Sequence, residues 1–175
     1  MISRTLKAVT FTAMLLTAPG AMAQSVLKNH DTYQPLDISA ERLEMKQREG
    51  RAIFQGSVNV TQGGMTLTSD TLTVFYETQN GIEKPSIDRL DAKGKVTLTS
   101  SSETLSGDWA VYDVDRRLIT IGGNVLFKQG DNSLRGERLE FDLVSGLAKL
   151  DGEASNEGRV RGTFNVPPKK DGDQQ

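Results

Sequence analysis

The chain has no cysteine and a single histidine, His30. The first absence excludes disulfide bonds, thiol nucleophiles and cysteine metal sites. A lone histidine cannot form a histidine metal cluster. It also cannot supply a conventional Ser-His-Asp triad to each unit of a repeated chain. We therefore predict that the protein is not an enzyme.

An excess of positive charge is also lacking, because 21 basic residues stand against 23 acidic ones and the formal net charge is −2 at pH 7. This balance disfavours a strongly basic nucleic-acid binder, and we expect no nucleic-acid partner. Leucine, valine and isoleucine are still frequent enough to argue against disorder of the whole chain.

The N-terminal apolar run is too short to span a membrane. Arg4 and Lys7 precede nine mostly apolar residues at positions 8–16, and Ala21-Met22-Ala23 supplies small residues at a cleavage site. A membrane anchor is the alternative, but spanning a bilayer takes ~20 apolar residues. We predict that residues 1–23 are a cleaved signal peptide and that the mature protein is exported.

The rest of the chain repeats one pattern. Four segments read apolar, polar, small, acidic, any, apolar, any, apolar; they are residues 38–45, 67–74, 105–112 and 134–141. Each is followed by an alternating segment with a central glycine; these segments are residues 52–60, 90–98, 119–127 and 148–154. The acid precedes the glycine by 15 residues in three units and by 24 in the second. The sequence therefore predicts four repeats of about 29 residues, one with a loop insertion.

The glycine segments alternate with period two, which is typical of a strand with one apolar face. A helix would need apolar spacings of three and four, which these segments lack. Each first segment has a break in this alternation, such as the one between Ala40 and Leu43. We interpret the break as one extra residue in that segment, which makes a β-bulge or a bend.

Turn residues separate the segments and favour antiparallel pairing. They are Gln62-Gly63-Gly64, Asn80-Gly81, Gln129-Gly130-Asp131-Asn132 and Ser145-Gly146. Bent strands with one apolar face can close into a sandwich, a jelly roll or a flattened barrel. We predict an N-terminal extension at 24–35, an all-β domain at 36–165 and a disordered polar tail at 166–175.

Residues 52–76 resemble the signature stretch of the OstA-like family, and the pattern returns at residues 121–125 and 134–139. The resemblance implies an antiparallel β-jellyroll whose hydrophobic interior holds the acyl chains of lipid A. It also implies lipopolysaccharide transport between two membranes, head-to-tail stacking of copies, and partners that are inner-membrane-anchored and outer-membrane barrel relatives. The resemblance further implies that the protein uses no metal and no cofactor. Chain length and the short N-terminal apolar run place the sequence with the periplasmic members of that family.

The apolar residues of the alternating segments are the candidate lipid-binding set. They are Ile38, Leu43, Met45, Phe54, Val58, Val60, Leu67, Leu72, Val74, Leu98, Leu105, Ile119, Ile121, Val125, Phe127, Leu134, Leu139 and Phe141. Periodicity alone favours a core filled by its own side chains. The family resemblance favours a lipid-lined interior instead.

The glycine and the acid that recur in every unit have a structural interpretation. The glycines Gly56, Gly94, Gly123 and Gly152 mark bends or close backbone approaches. The acids Glu41, Asp70, Asp108 and Glu137 form a row, and a catalytic carboxylate pair is disfavoured because a catalytic site would break the repeat. Basic residues available for lipid A phosphates include Arg116, Arg117, Arg135, Arg138, Arg159 and Arg161, and the sequence assigns none of them.

Three classes of function follow from this pattern. The favoured one is a periplasmic lipopolysaccharide-binding bridge, whose sheet edges near residues 36–40 and 147–154 pair with further copies. The alternative is an exported structural or adhesive repeat protein with a self-filled core. An exported glycan-active hydrolase ranks last, because the sequence offers no unrepeated carboxylate pair and no nucleophile motif.

Overall fold

The computed structural model describes residues 31, 33–77, 86–152 and 158–165. The predicted signal peptide, the polar tail and the Asn80-Gly81 turn lie outside the described residues. All but a few residues of the predicted N-terminal extension lie outside them as well.

The alternating segments form strands, as their period of two predicts. The described residues contain ten strands, with a short 3-10 helix at Gln47–Glu49. The strands are β1 (Asp37–Ser39), β2 (Arg42–Lys46), β3 (Arg51–Gln62), β4 (Met65–Glu77), β5 (Ser86–Thr99), β6 (Glu103–Asp113), β7 (Leu118–Gln129), β8 (Asn132–Asp142), β9 (Ala148–Asp151) and β10 (Arg161–Thr163).

These strands form one sheet in which each pairs antiparallel with its neighbours. The order is β1-β3-β4-β5-β6-β7-β8-β10, while β2 also pairs with β3 and β9 also pairs with β8. At each end of the sheet, two short strands therefore share one long partner. The all-β antiparallel prediction is confirmed, and the count of four repeats stays a prediction.

The register of β3 and β4 shows where the strands bend. Gln55 faces Thr71 and Val58 faces Ser69, so Gly56 and Ser57 stand opposite Asp70 alone. The same two-against-one register recurs when β5 pairs with β6 and when β7 pairs with β8. The predicted bulges are present, but our placement of the extra residue in the first segment is wrong. It lies in the glycine segment, where the backbone can take the positive φ that this bulge needs.

An acidic side chain occupies the space that each of three glycines leaves open. Gly94 has φ +80°, and a Cβ added there would overlap the carboxylate of Asp70. Gly56 stands in the same relation to Glu41, and Gly123 to Asp108. Ser57 Oγ donates a hydrogen bond to Glu41 at 2.7 Å, which ties the bulge to the acid. Three of the four recurring acids therefore pack into the bends of the sheet, whereas an added Cβ at Gly152 would meet the backbone of Gly158 and Arg159 instead of Glu137.

The apolar face of the sheet is the core. Its buried side chains are Ala52, Val58, Val60, Met65, Leu72, Val74, Leu90, Ala92, Val96, Leu98, Leu105, Ala110, Tyr112, Ile119, Ile121, Val125, Leu139, Phe141 and Leu143. Because strands from β3 to β7 line one common cavity, the sheet curls around this face. A single sheet must curl in this way to keep one face dry.

Replacing Gly94 with alanine should destabilise the fold. The new Cβ would meet Asp70 and force a left-handed backbone on a residue that disfavours it, at about 1–3 kcal/mol in the free energy of unfolding. Denaturant unfolding of the two proteins measures the difference.

The matched control is Gly64→Ala, because Gly64 has no positive φ and no atom within 4 Å of an added Cβ. We expect the control to change the free energy of unfolding by less than about 0.5 kcal/mol. Equal effects of the two variants would contradict the structural role of the glycine bulges.

Candidate functional site

A narrow cavity lies at the centre of the curled sheet. Its volume is about 40 Å³, which is close to the ~30 Å³ that one water molecule occupies in the liquid. The lining is almost entirely apolar and consists of Leu36, Val60, Gln62, Met65, Leu67, Leu72, Leu90, Ala92, Leu98, Ala110, Val111, Tyr112, Ile119 and Ile121. In this structure the interior is therefore nearly filled by its own side chains.

A much larger apolar opening lies beside this cavity, and we call it the mouth. Its volume is about 610 Å³, and it is lined by Ile38, Met45, Gln47, Ala52, Phe54, Val74, Tyr76 and Ile87. Val74 of the mouth pairs across strands with Leu90 of the cavity, and Phe54 pairs with Leu72. The mouth and the cavity are therefore parts of one apolar face.

The structure places the predicted lining residues on that face to different depths. Those that are buried are Val58, Val60, Leu72, Val74, Leu98, Leu105, Ile119, Ile121, Val125, Leu139 and Phe141. Those that are half-buried are Ile38, Phe54, Leu67, Phe127 and Leu134. Leu43 and Met45 are 51 % and 52 % exposed, although they pair with Phe54 and Ala52 and so share the apolar face. They are exposed because β2 lies at the edge of the sheet.

Several residues of the interior were missing from the predicted set. Met65, Leu90, Ala92, Ala110 and Tyr112 all line the cavity. Their signal was present in the sequence, since each continues the alternation of its own strand. Alanine and tyrosine carry a weak apolar signal alone, and only strand pairing shows that they face the interior.

Tyr112 is a polar group inside this apolar environment. Its side chain is buried, and its hydroxyl has no hydrogen-bond partner among the described residues. Burial raises the pKa of Tyr112, and the nearby positive charge of Arg117 opposes the shift. Gln62, also in the cavity lining, donates through Nε2 to the backbone oxygen of Gln34 at 2.9 Å.

The six arginines that we considered for phosphate contacts do not all gather at one point. Arg138 is paired with Glu140, and Arg117 donates to the Tyr33 hydroxyl at 2.6 Å. Arg135 and Arg161 are cross-strand partners on the outer face of the sheet. The sequence alone could not show this pairing, because the residues lie 26 positions apart.

Two features are absent from the described residues. The described ranges contain no group of three or more His, Asp or Glu side chains placed to hold a metal ion. Within those ranges, no helix has the length and apolar character needed to cross a membrane.

Comparison with known proteins shows which family has this architecture. Residues 37–147 match the family model described as LptA/(LptD N-terminal domain) LPS transport protein. The chain belongs to this family. The match runs from the start of β1 to the turn before β9 and so covers most of the sheet.

Individual relatives agree with the family assignment. An uncharacterized protein of Rhizobium meliloti (strain 1021) is 32 % identical over 143 residues, which are 79 % of this chain and 76 % of that protein. The lipopolysaccharide export system protein LptH of Pseudomonas aeruginosa (strain PAO1) is 24 % identical over 165 residues, 89 % of this chain and 91 % of LptH.

A solved structure confirms the fold. The crystal structure of LptH, described as the LptA-homologous periplasmic component of the lipopolysaccharide transport device of Pseudomonas aeruginosa, has a TM-score of 0.67 to this chain. It shares 19 % sequence identity and covers 78 % of this chain and 99 % of that one. The predicted OstA-like β-jellyroll is thus confirmed.

Removing the Tyr112 hydroxyl should not weaken the fold. Tyr112→Phe deletes a buried polar group that has no partner, so the free energy of unfolding should stay constant or rise by about 1 kcal/mol. Tyr112→Ala should instead lose about 3–5 kcal/mol, because it leaves a cavity in the core. Denaturant unfolding separates these effects. A loss above about 1 kcal/mol for the phenylalanine variant would show that the hydroxyl has a partner.

Proposed function

We propose that this chain is a periplasmic protein that binds lipopolysaccharide and shields its acyl chains inside the jellyroll during transport to the outer membrane. The observation that carries the proposal is the apolar mouth, where half-exposed Met45 and half-buried Phe54 lie beside the cavity. A soluble protein without a ligand for such a surface gains nothing by exposing it. The family match supports the transport role.

The energetic need for a shield is large. Each acyl CH2 group left in water costs about 0.8 kcal/mol, so several long chains cannot cross an aqueous compartment exposed. A binding protein has to replace that water with apolar side chains. The apolar face of this sheet, from the mouth to the cavity, supplies such a surface.

Acyl chains need more room than the central cavity offers, and the sheet can widen to supply it. The sheet order runs from β1 at one end to β10 at the other, with no pairing between them among the described residues. Separating the two ends would therefore break no backbone ladder. We infer that lipid enters at the mouth and pushes the curled sheet apart. The lipid then displaces the side chains that fill the interior in this structure.

The second candidate function is a structural repeat protein with a dry core. The small cavity favours it, since 40 Å³ leaves no room for a lipid in this conformation. The exposed side chain of Met45 and the open apolar lining of the mouth favour the lipid-binding function over it.

A photo-crosslinking amino acid at position 54 should capture lipopolysaccharide. Phe54 lines the mouth, whereas Ile53 lies next to it on the same strand and points to the opposite face. We expect crosslinks to purified lipopolysaccharide at position 54 and at position 127, and none at position 53. Gel migration of the lipid-linked protein gives the readout.

The dry-core function predicts a different outcome. No crosslink at either inward position, from a protein that is folded by circular dichroism, would reject lipid binding in the interior. Equal crosslinking at positions 53 and 54 would show adsorption to the surface, and it would also contradict the proposal.

We further propose that copies stack head to tail and join relatives in the inner and outer membranes. Apolar side chains are exposed at both ends of the sheet. Leu43 and Met45 lie on β2, and Val144 and Leu147, which are 61 % and 55 % exposed, lie in the turn before β9. Unpaired edges with such side chains can add a strand from another copy.

A mixing experiment tests this arrangement. Leu43→Glu should block the N-terminal edge, and Leu147→Glu should block the C-terminal edge, so each variant alone should be monomeric by light scattering. A mixture should form a dimer, because each variant keeps one intact edge of the opposite kind. Thr71→Glu, on the central strand β4, is the control and should leave self-association unchanged.

Two results would reject stacking. One is a parent protein that stays monomeric at every concentration and binds no membrane relative. The other is a mixture that fails to dimerise while both variants are folded, since head-to-tail association requires that dimer.

A further inference from the structure

Two rows of side chains cross the outer face of the sheet. They lie on the side of the bulges that carries the β3–β4 and β7–β8 turns. The first row consists of Asp37, Thr61, Thr66, Thr99, Thr104, Lys128, Ser133 and Thr163. The second consists of Ser39, Asn59, Thr68, Thr97, Ser106, Leu126, Arg135 and Arg161. Their charges are concentrated at the two ends.

Three cations gather at the C-terminal end of these rows. Arg135 and Arg161 are direct cross-strand partners between β8 and β10. Lys128 pairs with Ser133, which in turn pairs with Thr163. Neighbouring strands lie about 4.8 Å apart, so the three cations and the two hydroxyls share one small patch. We call these five residues the basic corner.

Among the described residues, no acidic side chain forms an ion pair with the basic corner. All three cationic side chains are exposed, and none forms an ion pair or a side-chain hydrogen bond with another described residue. Arg138, the next cation along β8, differs because it is paired with Glu140. The one acid in the two rows, Asp37, lies at their opposite end, on β1.

Such an arrangement is unfavourable without a ligand. Like charges placed directly opposite each other in an antiparallel pair destabilise the pairing. Here the two like charges are Arg135 on β8 and Arg161 on β10. Strand β10 has only three residues that pair with the sheet. An anion bound between Arg135 and Arg161 would turn that repulsion into attraction.

The same edge is apolar on its other side. Gly162 lies between Arg161 and Thr163, and a Cβ added to it would lie 2.8 Å from the ring of Phe164 and 3.0 Å from Leu134. Phe164 and Leu134 thus lie together on the interior face of β10, and Phe164 is exposed there. The edge strand separates an apolar surface from a cationic one by the thickness of a single strand.

We propose that the basic corner binds the phosphate groups on the sugar headgroup of lipopolysaccharide, while the acyl chains lie on the interior side of the same edge. This inference rests on the proposed function. A phosphomonoester carries about −1.5 to −2 charges near neutral pH and three acceptor oxygens. Two arginine forks, one lysine and two hydroxyls match that charge and those acceptors better than they match a single carboxylate.

The test is the double variant Arg135→Gln with Arg161→Gln, measured against native and chemically dephosphorylated lipopolysaccharide. We expect the variant to bind the native form roughly tenfold more weakly or worse, which is about 1.4 kcal/mol. Its affinity for the dephosphorylated form should match that of the parent protein. Added salt should weaken binding of the native form more in the parent than in the variant.

The control variant is Arg42→Gln with Lys93→Gln, which removes two exposed cations elsewhere on the sheet. We expect it to bind both forms like the parent. An equal loss of native affinity in the control would overturn the site, because it would show an effect of net charge alone.

Other outcomes separate the site from the proposed function. If the parent binds both lipid forms equally and the arginine variant does the same, lipid binding stands and the basic corner is rejected. If the parent binds neither form, the proposed function and the site fall together. A variant that loses self-association but keeps its native affinity would also overturn the site, because the arginines would then pair with another copy.

Discussion

A glycine bulge opposite an acid is the constraint on which the sheet depends. At Gly94 the backbone turns left-handed and the carboxylate of Asp70 fills the space where a side chain would stand. This arrangement inserts one residue into a strand without moving its apolar side chains to the wrong face. The strand can therefore bend while both of its halves stay inward. Because the same arrangement recurs at Gly56 and Gly123, successive strands bend together and the sheet curls as one body.

The curl leaves a molecule with one dry face and two free ends. In a closed barrel the strands at the ends would pair, and the interior would be sealed. Here the end strands are short: β1 and β2 share the partner β3, and β9 and β10 share the partner β8. Among the described residues the two ends do not pair, so the interior lies next to open edges. An apolar interior with unsealed edges suits a ligand that is long, apolar and too large to enclose. The same open edges are the ones that we propose to pair with another copy.

The sequence predicted the strands well because their periodicity is local. The spacing of two residues between Leu72 and Val74 predicts that both lie on one face. Asn132 and Gly63 predict turns through their own conformational preferences. The extra residue of each bulge was placed in the wrong strand for the same reason. A break in alternation is visible in one strand, whereas a bulge is a property of a pair and is defined only by register. Exposure of Leu43 and Met45 was missed because an edge position depends on what pairs beyond it.

Two levels of information can be separated for this protein. The sequence by itself determined the all-β class, the antiparallel order, the apolar face and the family, because each follows from short-range alternation, turn residues and motif. Only the tertiary structure decided how full the interior is, where it opens and which charges meet. Arg135 and Arg161 come together through the pairing of β8 with β10, and the cavity shrinks to about 40 Å³ through packing across the curl. Both depend on contacts between residues far apart in the chain, which no local pattern encodes.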